Sequence, residues 1–220
     1  MKRFFILLLI MSSGQAFPQK KLVDAIEIQV GYIYYFIDDE YYSGTRGNFP
    51  NFGFTMLLTN PIAKNLYYHV GINYSTKNYF SENNLGKDDP FYKRHETYLK
   101  HLKLPLLLSF HYARLGKLSL SFFNGFIVNA RIDHDVKRQY DGQYYEDKNL
   151  KPYTNIFGIS YEIGNVFNYL VMPDVTVTLT PSYGYKFVLD KSIDYRPGSG
   201  YLIEDRSYVT IALGIRCHFK

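Results

Sequence analysis

The last stretch of the chain, residues 207–219, alternates between apolar residues and small or polar ones. One face of this alternation carries Val209, Ile211, Leu213, Ile215, Cys217 and Phe219. Successive side chains of a β-strand point to opposite faces of the sheet, so the pattern predicts a strand with one apolar and one polar face. In a chain that opens with an export signal, this suggests a β-barrel whose apolar face meets lipid and whose polar face fills the interior.

The same alternation occurs seven more times along the chain. The apolar faces of these segments begin at Ile26, Phe52, Leu66, Leu102, Leu118, Phe157 and Val175. The connections alternate between long and short, and residues 37–51, 78–96, 133–152 and 190–206 form the four long ones. An even number of strands with both termini on the short-turn side is typical of outer-membrane barrels. The sequence therefore predicts an all-β fold, an eight-stranded antiparallel up-and-down transmembrane β-barrel.

A soluble, exported ligand-binding barrel is the alternative architecture. A lipocalin-like barrel would turn its bulky apolar face inward, around a ligand. Here the face opposite the Leu, Val and Phe residues is small or charged, and its glycines are Gly31, Gly53, Gly71, Gly125, Gly158, Gly164, Gly184 and Gly214. Small side chains suit the crowded interior of tightly curved strands, and the bulky face suits lipid, which favours the membrane barrel.

The N-terminus has the features of a secretory signal peptide. Lys2 and Arg3 precede a short apolar run, and Gly14 and Ala16 occupy the two positions that a signal peptidase reads. We therefore predict a signal peptide over residues 1–16, one outer-membrane barrel domain over residues 17–220, and a location in the cell outer membrane. The single cysteine of the chain excludes an intrachain disulfide framework.

Charge and aromatic content narrow the functional classes. Removing Lys2 and Arg3 from the 25 basic residues leaves 23 against 20 acidic ones, a net charge of +3 that gives no reason to propose nucleic acid as a partner. Aromatic residues make up 18% of the chain, with 23 Tyr and no Trp. Tyrosine is apolar at one end and polar at the other, which fits a membrane interface. We expect the barrel to be surrounded by outer-membrane lipid and lipopolysaccharide.

One segment resembles a known family. Residues 98–108, YLKHLKLPLLL, are similar to the Y-L-x-I-P-L-L-L strand of the PorT-like outer-membrane β-barrel family. Gly158 with Tyr161 and Glu162 resembles that family's later G-x-x-x-E-Y strand, in reversed Tyr-Glu order. The chain also departs from the family in the extra His-Leu-Lys before the proline and in Lys220 after the terminal phenylalanine. The resemblance implies outer-membrane placement and, for some relatives, a part in protein secretion or gliding; it implies no catalytic residues.

Charged and histidine side chains collect on the predicted inner face. They are Glu27, His69, His101, Lys103, Arg131, Glu162, Lys186, Arg216 and His218. An eight-stranded barrel is only wide enough for side chains to fill it, so we interpret this set as a structural ion-pair network rather than a functional site. Strands one and eight must meet to close the barrel, and we expect Glu27 to pair there with Arg216 and His218.

The inner face also raises the questions of metal binding and catalysis. Its histidines are spread over three strands and both ends of the barrel, so we expect no metal site and no cofactor. Ser109 and His111 share a face but have no acidic partner within sequence reach, and Ser160 with Glu162 lacks a nearby histidine. We therefore predict no catalytic residues.

The four long loops contain the candidate contact residues. Together they carry 16 acidic and 11 basic residues, and their aromatic side chains include Tyr41, Tyr42, Tyr92, Tyr144, Tyr145 and Tyr195. This composition suits a protein or glycan ligand held by aromatic anchors, or else a hydrated rim with an aromatic girdle. We interpret the chain as a non-enzymatic outer-membrane barrel with a side-chain-filled lumen and a surface-exposed structural or interaction role. A lipid- or lipopolysaccharide-modifying barrel enzyme is the alternative, and it would need a nucleophile and a base at the outer rim.

Overall fold

The computed structural model describes residues 23–38, 45–82, 93–140, 143–147, 157–188, 192–196 and 199–219. Within these ranges the regular structure consists of eleven β-strands. They are β1 (Ala25–Asp38), β2 (Thr45–Asn48), β3 (Asn51–Ala63), β4 (Leu66–Glu82), β5 (Lys93–Leu115), β6 (Leu118–Tyr140), β7 (Gln143–Asp147), β8 (Phe157–Met172), β9 (Val175–Val188), β10 (Ser192–Arg196) and β11 (Ser199–His218). The predicted signal peptide, residues 1–16, lies outside the described ranges. No helix in these ranges is both long enough and apolar enough to cross a bilayer.

Eight of the strands form a closed antiparallel ring. The pairing order is β1, β3, β4, β5, β6, β8, β9 and β11, and β11 pairs back with β1. The closing pair starts with Ala25 opposite His218 and places Glu27 directly opposite Arg216. The three short strands β2, β7 and β10 lie outside this ring order and pair with β4, β6 and β11. The predicted eight-stranded antiparallel barrel is thus confirmed.

The two faces of each strand point as the alternation predicted. On β5 the outward side chains are apolar and 44–50% exposed, and they are Leu102, Leu104, Leu106, Leu108, Phe110 and Tyr112. The inward residues of the same segment include His101, Lys103 and Ser109, all buried. The ten steps from Leu102 to Tyr112, at about 3.3 Å each on a strand tilted by roughly 40°, give an apolar band about 25 Å tall, the height expected of a membrane barrel. A soluble ligand-binding barrel has the opposite arrangement of faces.

The ring has two distinct ends. At one of them, the turn end, two-residue turns connect β3 to β4, β5 to β6 and β8 to β9. Two of these turns contain a residue with positive φ, Asn65 at 67° and Gly116 at 61°, a conformation that asparagine and glycine adopt at low cost. Both described termini lie here, since the Phe219 amide donates to the Asp24 carbonyl at 2.8 Å. The opposite end, the loop end, carries the longer connections.

At the loop end the strands continue further than the sequence predicted. The segments 37–51, 78–96, 133–152 and 190–206 were expected to be loops, but β4 extends to Glu82, β5 begins at Lys93 and β6 extends to Tyr140. The strands β2, β7 and β10 also fall within these segments. Beyond the apolar band charged side chains such as Lys137 occur on the outward face and apolar ones such as Leu99 and Val136 on the inward face. The hydrophobic alternation therefore stops while the backbone ladder continues. An irregularity between Lys100 and His101 in the pairing with β6 further disturbs the pattern there.

Candidate functional site in the barrel interior

The charged centre of the interior lies across the closing pair of strands. Glu27 is fully buried, and one of its carboxylate oxygens accepts from Arg216 Nε at 2.9 Å and from Nη2 at 2.6 Å. The other oxygen accepts from Thr178 Oγ1 at 2.6 Å and Gln29 Nε2 at 2.8 Å. Arg216 Nη1 donates in turn to Asn168 Oδ1 at 3.1 Å. The carboxylate therefore has four hydrogen bonds from three donor side chains. We refer to Glu27, Gln29, Asn168, Thr178 and Arg216 as the seam network, which links β1, β8, β9 and β11 inside the barrel.

His218 does not reach Glu27, in contrast to the expectation from the sequence. It lies opposite Ala25, two residue pairs closer to the turn end than Arg216. There its Nδ1 is 4.0 Å from Asp24 Oδ2 and its Nε2 is 3.4 Å from Thr176 Oγ1. Inward positions on a strand alternate, so two residues separated by one position reach different levels of the interior. Among the described residues, the ion pair across the seam is therefore that of Glu27 with Arg216.

Two serine–histidine contacts lie near the turn end. His69 Nε2 is 2.7 Å from Ser109 Oγ, and its Nδ1 is 2.8 Å from Thr59 Oγ1. Ser121 Oγ is 2.9 Å from His111 Nδ1. Ser109 thus contacts the histidine of β4 rather than His111, which is on its own strand. Both hydrogen-bond partners of His69 are hydroxyls, whereas the histidine of a catalytic triad is oriented by a carboxylate.

Two cavities lined by described residues lie inside the barrel. The central one has a volume of about 80 Å³ and is lined by Glu27, Lys103, Glu162 and Tyr208, among others. A volume of this size holds only a few water molecules. The second cavity, about 450 Å³, lies at the turn end and is lined by residues that include His111, Arg114, Lys117 and His218. His69 and Arg216 line both cavities, so the seam network stands where they adjoin.

On the loop-end side of the seam network, tyrosines and lysines pack together inside the barrel. Tyr35 and Tyr208 are 1% and 2% exposed, with ring centroids 5.8 Å apart. The ammonium groups of Lys77 and Lys186 lie 5.8 Å and 5.5 Å from the centroid of the Tyr35 ring, and that of Lys103 lies 5.2 Å from the Tyr208 ring. Cations over aromatic faces at these distances attract the ring quadrupole. We refer to these five residues as the tyrosine–lysine layer.

Glu162 connects this layer to the neighbouring strands. The Tyr208 hydroxyl donates to Glu162 Oε2 at 3.1 Å, and Ser182 Oγ donates to Glu162 Oε1 at 2.5 Å. Gly184 lies beside the Tyr208 ring, and a Cβ atom added to this glycine would overlap the ring. The glycine is therefore required for a tyrosine to fit at this level of the interior.

All the predicted interior residues point inward, but the sequence missed several others. Tyr35, Lys77, His95, His134 and Asn168 are buried and inward as well. His95 and His134 lie in segments that the sequence predicts to be loops, and Tyr35, Lys77 and Asn168 lie beyond the last inward residue assigned to their strands. Counting every second residue along β4 and β8 from Ser75 and Ser160 would have found Lys77 and Asn168, because burial continues with that spacing. The remaining predicted residues, His101 and Arg131, face each other across β5 and β6 and are also buried.

A cluster of aromatic and charged side chains covers the outer wall beyond the apolar band. Phe49 stacks on Tyr98 with centroids 5.7 Å apart and 12° between the ring planes, and it also contacts Phe80 at 5.4 Å. The Arg94 guanidinium lies 4.6 Å from the centroid of the Phe80 ring. Tyr98 donates to Glu96 Oε2 at 2.7 Å. Burial and this neighbouring carboxylate raise the pKa of Tyr98 to about 12.

An ion pair marks the edge of the apolar band. Lys100 Nζ lies 2.6 Å from Asp133 Oδ2, and the two side chains are 46% and 22% exposed. Both residues point outward, and Lys100 is the next outward residue of β5 after Leu102 toward the loop end. The hydrogen bond to Asp133 raises the pKa of Lys100, and the same hydrogen bond lowers the pKa of Asp133.

The predicted loop contacts are only partly described. Tyr145, on β7, is 51% exposed, and its hydroxyl donates to Gln143 Oε1 at 2.8 Å. Tyr41, Tyr42 and Tyr92 lie outside the described residues, as do the side chains of Tyr144 and Tyr195. Within the ranges that are described, no three His, Cys, Asp or Glu residues cluster so as to hold a metal ion.

Comparison with known proteins supports the fold. The crystal structure of Neisserial surface protein A superposes with a TM-score of 0.51 at 11% sequence identity, over 89% of this chain and 96% of that one. The outer membrane protein OprG from Pseudomonas aeruginosa gives a TM-score of 0.47 at 12% identity, over 90% of this chain and 97% of that one. No family model matches the sequence, and no curated protein matches it significantly. The chain thus has the fold of an eight-stranded outer-membrane barrel.

Proposed function

We propose that this protein is a non-enzymatic outer-membrane barrel with a closed lumen and a structural or interaction role at the cell surface. The observation that carries the proposal is the contrast between its two faces. The outward side chains form an apolar band about 25 Å tall, and the inward ones are charged, hydrogen-bonded and buried. In this setting the turn end faces the periplasm and the loop end faces outward.

The side chains that fill the interior support the proposal of a closed lumen. The seam network and the tyrosine–lysine layer lie at successive levels of the interior, and the cavity that both of them line measures only about 80 Å³. A pore needs a continuous water-filled path, and a ring of eight strands leaves little width once large side chains occupy it. We therefore expect the barrel to carry no solute through its centre.

The surface role rests on the part of the barrel beyond the apolar band. On β5 and β6 the strands continue past Lys100 and Asp133, and the wall there carries stacked aromatic rings with charged groups over them. Aromatic residues flanked by charges suit the lipopolysaccharide layer or a protein or glycan ligand. Tyr145 is exposed above this wall.

A link to protein secretion is the finer part of the proposal. It rests on the resemblance of residues 98–108 to a PorT-like strand. In the barrel this segment places Pro105 inward and the flanking Leu104 and Leu106 outward, within the apolar band. Comparing the proteins released into the medium by a deletion strain and a complemented strain tests the link. Identical profiles would remove secretion from the proposal and leave the barrel assignment intact.

Fractionation and electrical recording test the central proposal. We expect the protein in detergent-extracted outer membrane, with a gel mobility that shifts on boiling, as a closed barrel shows. In planar bilayers the purified barrel should give no stable ohmic steps. Recovery in the soluble periplasmic fraction without a mobility shift would overturn the membrane assignment. Regular conductance steps would overturn the closed lumen.

The enzymatic alternative has less support. A lipid- or lipopolysaccharide-modifying barrel needs its nucleophile and base at the outer rim, where the lipid head groups lie. The contact between Ser109 and His69 lies inside the barrel near the turn end. Lipid analysis of membranes from cells that overproduce the protein tests this alternative, and a new lyso-lipid or a trimmed lipopolysaccharide would favour it.

A further inference from the structure

The larger of the two cavities, which we call the turn-end cavity, has cationic side chains along one wall. Its volume is about 450 Å³, within the range typical of small-molecule sites. Arg114, near the end of β5, and Lys117, in the turn that follows, both line this cavity, and both residues are exposed. The turn-end cavity therefore offers a ligand both space and positive charge.

A β-bulge points Arg114 into this cavity. Regular alternation from the inward His111 would turn Arg114 outward, because the two residues are three positions apart. The pairing of β5 with β6 is irregular between His111 and Ala113, so Arg114 lies opposite Ser119. Paired residues share a face of the sheet, and Ser119 lines the cavity as well. Bulges re-aim side chains in this way next to functional sites.

Arg114 and Lys117 have no carboxylate partner in the described part of the chain. Arg114 Nε donates to the Gly116 carbonyl at 3.4 Å, which leaves its two Nη groups for a ligand. The fork of an arginine fits two oxygens of one phosphate or carboxylate group. Among the described lining residues Asp24 is the one carboxylate, and it precedes β1, which is nearly opposite β5 and β6 in the ring. The wall formed by β5 and β6 therefore favours an anion.

Hydroxyl and imidazole groups line the cavity beside these cations. The hydroxyl-bearing residues on its described lining are Thr59, Ser109, Ser119, Ser121 and Thr176. A hydroxyl group both donates and accepts, so one that is bonded to a histidine can still bond to a ligand. His111 Nδ1 is 2.9 Å from Ser121 Oγ, and a neutral imidazole that accepts there carries its proton on Nε2 and can donate it to a ligand. These groups match a ligand that carries hydroxyls as well as charge.

We propose that the turn-end cavity binds a small organic oxyanion with a hydroxylated body, that is, a sugar phosphate or a sugar acid. Arg114 and Lys117 hold the phosphate or carboxylate group, and His111 and the serine and threonine hydroxyls bind the sugar. This site goes beyond a structural or interaction role, because it gives the barrel a small-molecule ligand at the end opposite the long connections. That the ligand comes from the periplasm rests on the proposed function, whereas the binding itself does not.

Calorimetric titration of the barrel refolded in detergent measures the binding, whichever end faces the periplasm. The probes are glucose 6-phosphate and glucuronate, which distinguish a phosphate from a carboxylate. We expect saturable binding of at least one of them, with a Kd at least about tenfold weaker for neutral glucose, which lacks the charge-assisted hydrogen bonds. Inorganic phosphate and acetate, the matching anions without a sugar, should bind about fivefold less tightly, the effect of one lost neutral hydrogen bond.

Substitutions at the turn end identify the side chains that bind. Arg114→Gln should weaken the Kd for the sugar anion at least about tenfold. Arg114→Lys, which keeps the charge but loses the fork, should bind with intermediate affinity. Lys64→Gln is the matched control, because Lys64 is an exposed cation in the turn between β3 and β4 and is not among the described residues that line the cavity. The mobility shift on boiling shows whether each variant is folded.

Several results would overturn the proposal. One is the absence of saturable binding of both sugar anions by the wild type up to about 10 mM, a concentration that detects even weak sites. Others are undiminished binding by folded Arg114→Gln and an equal loss in Lys64→Gln. Equal affinity for a sugar anion and its sugar-free analogue would overturn the role of the hydroxyls. Recovery of the protein in the soluble fraction would instead overturn the proposed function, and it would leave the binding result as it stands.

Discussion

The carboxylate of Glu27 and the guanidinium of Arg216 are 189 residues apart in the chain and meet inside the barrel at 2.6 Å. They lie directly opposite each other on β1 and β11, the first and last strands of the ring. The pair therefore forms only when the barrel closes. With Thr178 and Gln29 also donating to Glu27, the fully buried carboxylate has its charge balanced and both its oxygens hydrogen-bonded.

Replacing one partner of this ion pair should lower the free energy of unfolding more than replacing both partners. Arg216→Met leaves a fully buried carboxylate without its cation, and Glu27→Gln leaves the arginine without its anion. Each single variant should lose about 3–5 kcal/mol of unfolding free energy, and the double variant should lose less than either, because no uncompensated charge remains. Urea unfolding in lipid vesicles measures all three. A double variant that loses the sum of the two single losses would contradict the pairing. Glu96→Gln, on the outer wall, serves as the control.

Even the methyl side chain of alanine at position 184 should destabilise the barrel. In Gly184→Ala the new methyl group overlaps the Tyr208 ring, so the ring must leave its contacts with Tyr35 and Glu162. We expect a loss of about 1–3 kcal/mol, the usual cost of overpacking. Combining the change with Tyr208→Leu should cost less than the sum of the two single changes, since the clash is gone. Additive losses in the same urea assay would show that the ring is not what the glycine accommodates.

The Lys100–Asp133 pair should add little to the free energy of unfolding, and the amount should depend on pH. A double-mutant cycle with Lys100→Met and Asp133→Asn should give a coupling of about 0.2–1 kcal/mol at pH 7, because both side chains are partly exposed. The folded-state pKa of Asp133 is lowered. The ion pair therefore stabilises the folded barrel at pH values above the pKa of Asp133 in the unfolded chain. This stabilisation is lost as the pH falls below about 4 and the carboxylate is protonated. A coupling that persists at pH 2 would contradict the ionic nature of the pair.

Cysteine labelling on intact cells should show which end of the barrel faces outward. Cys217, the only native cysteine, lies on the lipid-facing side of β11 near the turn end and is first replaced by Ser. In that background Tyr145→Cys should react with a membrane-impermeant maleimide on intact cells, because Tyr145 is at the loop end and exposed. Lys117→Cys, in a turn at the other end, should react only after the outer membrane is permeabilised. The reverse pattern would invert the orientation.

Most of the fold could be predicted because the lipid-facing side of each strand carries a repeated signal. Leu102, Leu104 and Leu106 on β5 alternate with His101, Lys103 and Pro105, and this spacing fixes both the strand and the face that points inward. The signal ends with the apolar band, which is why the sequence predicts loops at β2, β7 and the outer parts of β4 and β6. In those segments hydrogen bonds between neighbouring strands maintain the β-structure, and the side-chain pattern does not predict it.

The candidate site could be predicted less completely. The inward position of Glu27 and Arg216, and their meeting at the seam, follow from the alternation and from barrel closure. The position of His218 beside Asp24 does not, because it depends on the register between two strands at opposite ends of the chain. The contact of Ser109 with His69, rather than His111, depends in the same way on the pairing of β4 with β5.

The sequence by itself determined which side chains face the interior, since the period of a β-strand is a local property of the chain. Only the tertiary structure decided which of those side chains meet. Closure of the ring sets the stagger of every strand against its neighbours. This stagger places Arg216 beside the carboxylate of Glu27, whereas the guanidinium of Arg131 meets no acceptor among the described residues. Contacts across the interior join residues that are far apart in sequence, so no local pattern can specify them.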